Sequence, residues 1–176
     1  MPELPDVEVF KKEADKARDV VIKDVDINDN HFIDVSKNKL SDKIVGKRIK
    51  ENIRRGKYLF ITTENHENII LHFGMTGSLK YLPESEDEPK FTKCAFMLGN
   101  DHILYYLSKR KLGTIDITRD LDAFIKEKEL GPDIMKISTK DFIKGMKEKS
   151  SMIKTALTDQ SLFSGIGNVY ADEVLY

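Results

Sequence analysis

The chain has 176 residues, a formal net charge of −1, 40% hydrophobic and 34% charged side chains, which suits one large or two small globular domains with a substantial core. That balance excludes a uniformly basic nucleic-acid binder, and no apolar run approaches the length of a membrane span or the pattern of a secretory signal. The single cysteine, Cys94, excludes an internal disulfide and any zinc site built from several thiolates, so a protein working in the cytosol or wherever the genome is kept is expected.

The first eight residues, Met1-Pro2-Glu3-Leu4-Pro5-Asp6-Val7-Glu8, admit two readings. In the simpler one Pro5 occupies the first turn of a helix, Asp6 and Glu8 complement its dipole, and Pro2 is idle. In the sharper one Met1 is removed and the ring nitrogen of Pro2 becomes a secondary amine. An α-amino group has a reference pKa of about 7.7–8.0, so part of it is neutral near pH 7, whereas lysine titrates at about 10.4. Such an amine attacks electrophilic carbon and forms Schiff bases, and Glu3 stands beside it as a candidate acid/base group.

Val7, Phe10, Ala14, Ala17 and Val21 recur at helical spacing, predicting an amphipathic helix with its charged side in water. From Lys43 to Lys57 the chain carries Lys43, Lys47, Arg48, Lys50, Arg54, Arg55 and Lys57 against only Glu51. Such a stretch can follow a phosphate track even in a neutral chain. Within Arg55-Gly56-Lys57-Tyr58, Gly56 can turn the backbone and present Lys57 to a phosphate.

Strands are predicted at Tyr58–Thr63, Asn68–Phe73, Phe91–Leu98, His102–Leu107 and Leu112–Thr118, with hairpin signals at 64–67 and 99–101. Cys94 reads as a buried strand residue, and Glu84–Pro89 as a solvated acidic loop. Met75, between Gly74 and Gly77 at the end of a strand, suits a loop tip better than a core.

From Arg119 onward the periodicity becomes helical. Helices are predicted from Leu121 to a stop at Leu130-Gly131-Pro132, after Ser138, from Met152 to Leu157 and from Asn168 to Tyr176. Gly165-Ile166-Gly167 precedes the last of these, where backbone N–H groups can bind an anion and Asn168 can add a side-chain donor. Tyr176 falls within that periodic pattern, so the chain reads as cut rather than finished. The expected organisation is a β-rich domain over 1–119 and a helical part over 120–176.

Taken together, "PELPDVE", "RGKYL", "HFGMTGSL", "LGPD" and "GIGNVYADE" resemble the motifs of the formamidopyrimidine-DNA glycosylase / endonuclease VIII family, in the family's order. The resemblance implies an α+β fold: an N-terminal helix with an antiparallel β-sandwich, then a partial helix–two-turn–helix module. It implies a base-excision glycosylase with AP lyase activity, acting as a monomer on double-stranded DNA that holds an oxidised base or abasic site. Pro2 would attack the anomeric carbon and hold the sugar as an imine, with Glu3 as acid/base. Lys57 and Asn168 would grip phosphates, with Tyr170 nearby and His72 contributing. Met75 would fill the gap left by the flipped nucleotide, and Arg110 would take the orphaned partner base.

The departures are specific. Leu112 stands where an aromatic wedge is usual, and Asp6 where glutamate is usual. The rest of the helical module and the zinc finger, or its zincless equivalent, lie outside residues 1–176, so no cofactor or metal is expected on these residues. Two other readings stay open: a catalytically inactive DNA-binding fragment of the same family, and a small tautomerase-like enzyme using an N-terminal proline.

Overall fold

The computed structural model describes residues 1–28 and 37–176. In chain order its elements are α1 (Leu4–Asp15), β1 (Ile22–Ile27), α2 (Lys37–Ile44), β2 (Ile49–Arg55), β3 (Tyr58–Thr63), β4 (Asn68–His72), β5 (Gly77–Pro83), β6 (Thr92–Leu98), β7 (His102–Ser108), β8 (Thr114–Thr118), α3 (Leu121–Glu127), α4 (Thr139–Lys147), α5 (Ile153–Thr158) and α6 (Asn168–Leu175). None of these helices is long and apolar enough to cross a membrane.

The strands form two antiparallel four-stranded sheets, ordered β1-β6-β7-β5 and β2-β3-β4-β8. One apolar core lies between them. Val25, Phe96, Leu104 and Tyr106 of the first sheet pack in it with Leu59, Ile61, Leu71 and Ile115 of the second. Cys94 is fully buried in this core. The fold is therefore the expected α+β sandwich led by a helix and followed by a small helical part.

Helix α1 lays Val7 and Ala14 into the same core, and its Phe10 ring lies 4.5 Å from Phe73. The helix ends earlier than its apolar stripe. Ala17 still reaches the core from the turn after Asp15, but Val21 belongs to a bridge with Arg48 that begins the first sheet region. Asp19, with a left-handed φ of 62°, separates the two conformations, so an i, i+3, i+4 pattern here continued across a turn. Strand β6 also starts one residue later than expected, because Phe91 takes φ 69° and points half-exposed outward.

Strand β4 is buried on both faces. One face meets the sandwich core, and the other is covered by α3, whose Phe124 ring stands edge-on to Tyr58 and Phe60 at 5.7 and 6.0 Å. A seven-residue helix is unstable alone. Burying Phe124 with Phe60 and Ile70, worth about 1.5–3 kcal/mol per side chain, holds it in place.

The helical part joins the sandwich through a buried ion pair. Arg54 on β2 donates to both carboxylate oxygens of Asp133 at 2.6 and 3.2 Å, and Gly56 N–H donates to Asp133 at 2.8 Å. Arg54 also donates to Glu8 on α1 and to the Gly56 carbonyl. Next to this pair, Asp133 bridges Ser164 in parallel fashion, and Leu4 N–H donates to the Gly165 carbonyl at 3.1 Å.

Candidate active site

The site is assembled from three backbone features. Helix α1 begins at Leu4, with Glu3 as its N-cap and the Glu3 N–H donating to Asp6 at 2.9 Å. Pro5 and Asp6 therefore perform the helix-starting duty, which leaves Pro2 outside the helix and partly exposed behind Met1. Next, Gly56 and Lys57 form the turn between β2 and β3. Gly56 takes φ +55°, and a Cβ there would lie 2.7 Å from the Ser164 Cβ, so only glycine permits this approach. Last, Gly167 caps α6 with Asn168 as its first residue.

Glu3 ties these features together. Its carboxylate accepts from the Gly167, Val169 and Tyr170 backbone N–H groups at 2.7, 2.9 and 3.3 Å. It is only 1% exposed. The anion expected at the Gly165–Asn168 turn is thus met from within the chain, because three helix-terminal donors face a fixed carboxylate. Gln160 braces the same loop, accepting from Gly165 N–H at 3.0 Å and donating to the Ile166 carbonyl at 2.8 Å. The Asn168 and Tyr170 side chains point to the exposed side of this turn.

Lys57 is half-buried close to Glu3. Burial lowers its ammonium below the ordinary lysine range, against the raising pull of the Glu3 charge. His72 lies opposite Tyr58 across the β3–β4 ladder, with the two rings 4.8 Å apart. Burial first, and the Lys57 charge second, lower the His72 imidazole below its ordinary value. His72 is consequently a neutral donor or acceptor near pH 7 and not a second cation. Lys57→Ala should therefore move the His72 pKa upward, read from its imidazole proton shifts against pH; an unchanged titration would refute the coupling.

The second group of expected residues also converges. Met75 sits on the β4–β5 turn, 42% exposed, and Leu112 lies 51% exposed before β8. Gly74, at φ +56°, lets this turn pack directly against the Leu112–Gly113 backbone. The Arg110 N–H donates to Thr76 Oγ1 at 3.0 Å, and the Arg110 side chain is exposed. The Tyr106 hydroxyl donates to the His72 carbonyl at 2.7 Å, connecting this loop pair to the Lys57–His72 pair.

The basic stretch requires correction. Arg54 is buried against Asp133 and Glu8, and Arg55 donates to the Leu130 and Gly131 carbonyls. Lys43 pairs with buried Glu67, Lys50 with Asp19, and Arg48 with the Asp19 carbonyl. Most of the charge therefore secures the fold, leaving Lys57 as the member of the stretch that faces the Glu3–His72 cluster. Asp133 was legible only as part of a helix-stopping Leu-Gly-Pro-Asp run, and its pairing with Arg54 has no signature in periodicity. Among the described residues, no group of three or more His, Cys, Asp or Glu side chains is arranged to hold a metal ion.

Residues 1–115 match the family model of the formamidopyrimidine-DNA glycosylase N-terminal domain, and residues 130–176 that of the formamidopyrimidine-DNA glycosylase H2TH domain. The chain is 34% identical over 184 residues to a formamidopyrimidine-DNA glycosylase of Heliobacterium modesticaldum, covering 99% of this chain and 66% of the relative. It spans just under two thirds of the length of the curated relatives it matches. Among solved structures, the Lactococcus lactis protein bound to DNA with an abasic site superimposes with a TM-score of 0.90 at 27% identity, covering 99% of this chain and 67% of that one. A variant of the same protein bound to Fapy-dG DNA gives 0.90 at 28% identity, covering 99% and 66%.

Proposed function

This chain belongs to the formamidopyrimidine-DNA glycosylase family, and from that membership we propose that it supplies the catalytic half of a base-excision glycosylase with AP lyase activity. The observation that carries the reading is the seating of the Glu3 carboxylate in the N-terminus of α6, beside Lys57. This contact supports the reading because it ties Glu3, next to Pro2 in sequence, to the start of α6 where Asn168 stands, with Lys57 feeling the Glu3 charge. Structural neighbours bound to abasic-site and Fapy-dG DNA support damaged DNA as the partner, and the duplex form is part of the proposal.

In the proposed reaction Met1 has been removed and the Pro2 nitrogen attacks the anomeric carbon of the lesion's sugar. The base leaves with the electrons of the glycosidic bond and takes up a proton, and the ring-opened sugar remains as an iminium on Pro2. Loss of a proton from the adjacent sugar carbon then expels the 3′ phosphate, and a second elimination expels the 5′ phosphate. Glu3 moves the protons. Lys57 and Asn168 hold flanking phosphates, with His72 as a neutral hydrogen-bonding partner and Tyr170 adjacent.

Met75, Arg110 and Leu112 form the surface proposed to enter the duplex. Extruding a nucleotide costs a few kcal/mol, and an apolar wedge with an arginine on the orphaned base offsets that cost. Leu112 fills space without the stacking that an aromatic ring offers, so weak discrimination of the opposite base is expected. A tautomerase-like reading leaves this exposed surface without a role.

The test is covalent trapping. The chain, with Met1 removal verified by mass, is incubated with DNA carrying an abasic site and then borohydride. A protein–DNA adduct that disappears in Pro2→Gly supports the lyase. No adduct from chain lacking Met1 overturns the proposed chemistry and leaves a DNA-binding module.

A further inference from the structure

Behind the Gly56–Lys57 turn, away from Pro2 and Glu3, a cavity of about 390 Å³ opens between the outer face of the second sheet and the helical part. Its walls are apolar: Ile53 and Phe60 from the sheet, Leu121 and Ile125 from α3, and Pro132. Its charged groups do not balance. Arg54 and Asp133 neutralise each other across their fork. Arg55, which also lines the cavity, donates only to the Leu130 and Gly131 carbonyls, its Nε is buried without an acceptor, and no carboxylate pairs with it among the described residues. Lys136 adds an exposed ammonium at the same cavity.

The cavity on the other side of Arg54 provides the contrast. It is larger, about 590 Å³, but three carboxylates, Glu8, Asp15 and Glu51, stand among its cations and oppose an anion. Lys11 pairs with Asp15 at 2.6 Å and Arg54 with Glu8 at 2.8 Å, and Glu51 is the third carboxylate, while Arg54 and Lys136 line both cavities. A ligand there would have to break existing pairs. In the smaller cavity it would find uncompensated positive charge over an apolar wall.

We propose that the cavity bounded by Ile53, Phe60, Leu121, Ile125 and Pro132 is a binding site for a small aromatic monocarboxylate, its ring against the apolar wall and its carboxylate toward Arg55 and Lys136. The volume is within the range that accepts a bicyclic ring. The apolar wall supplies binding, and the cations select an anion over a neutral isostere. Because the walls come from both the sheet and the helical part, an occupant ties them together across the strand that ends in the Lys57 turn. This assignment does not depend on the glycosylase reading.

The probe is sodium 1-naphthoate, titrated into the whole chain by calorimetry and by methyl NMR, with neutral 1-naphthamide as the comparison. Saturable naphthoate binding is expected, at least ten-fold tighter than naphthamide, with methyl shifts at Ile53, Leu121 and Ile125. Lys136→Glu, an exposed change, should weaken naphthoate at least five-fold, and Ile125→Glu should weaken it further. Equal binding of the two probes, shifts confined to other methyls, or a Lys136→Glu chain that binds like wild type would each overturn the site.

Discussion

Asp133→Ala should lower the free energy of unfolding by about 3–5 kcal/mol, although this residue touches none of the groups proposed to react. Asp133 is 5% and Arg54 8% exposed, so water cannot replace the lost partner. The substitution removes both arms of the guanidinium fork and the acceptors of the Gly56 and Met135 N–H groups. It leaves Arg54 with Glu8 and one carbonyl. An unpaired buried charge is far costlier than a pair replaced by apolar side chains of similar volume. The double variant Arg54→Met with Asp133→Leu should therefore be more stable than Asp133→Ala. Chemical denaturation of the three chains decides the matter, and a single variant within 1 kcal/mol of wild type, on the scale expected for exposed pairs, would show that the fork carries little.

The same pair sets a pH dependence. Burial pushes the Asp133 carboxyl up, but the hydrogen bonds from Arg54 and Gly56 and the guanidinium charge outweigh it and hold the group below its ordinary 3.8. A carboxyl depressed in the folded state binds its proton more weakly there than in the unfolded chain. Its contribution is complete above the unfolded value and is lost as pH falls through the folded one. The gap between wild type and Asp133→Ala should stay constant from neutrality down to about pH 5 and narrow only below about pH 4. Loss of the fork also frees the Gly56 N–H and so loosens the turn that carries Lys57.

Much of the sandwich was legible because β3, β6 and β7 are apolar runs bounded by turn residues. Strands β1, β2 and β5 were not. In β1 and β2 two charged or polar exposed residues separate buried ones, and β5 ends in partly exposed positions, so none shows a clean alternation. The candidate site residues were visible one by one: Pro2, Glu3, Lys57, Met75 and Asn168 each stood in an unusual local setting. Their mutual arrangement was not, since Glu3 meets Val169 across 166 positions of sequence. The pairing that reassigns Arg54 from phosphate track to structural fork spans 79 positions. Local pattern reports which residue types are present; only the fold determines which charges are already occupied.

Glu3→Ala should be the single change most damaging to the proposed reaction, abolishing the borohydride adduct. It should also cost about 3 kcal/mol in stability, the lower end of roughly 1–3 kcal/mol for each of three donors, because two of them are only partly buried. The carboxylate closes the first turn of α6, where helix-terminal N–H groups have no partner within the helix. Losing it releases the Gly165–Asn168 turn from α1 and with it the position of Asn168. Glu3→Gln separates capping from proton transfer. One carboxylate oxygen serves Gly167 and Tyr170, the other Val169. A glutamine can satisfy the first pair with its carbonyl, but its NH2 then faces the Val169 N–H, donor against donor. The Gln chain should thus keep Gly167 protected from hydrogen exchange, expose Val169, and lose about 1–3 kcal/mol. Adduct formation should fall further than this partial loss of the cap explains, because the amide moves no proton. If the Gln chain exchanges its Val169 amide like wild type, Glu3 does not organise α6. If it also traps abasic DNA at the wild-type rate, Glu3 is not the proton-transfer group, and that role passes to another residue beside Pro2.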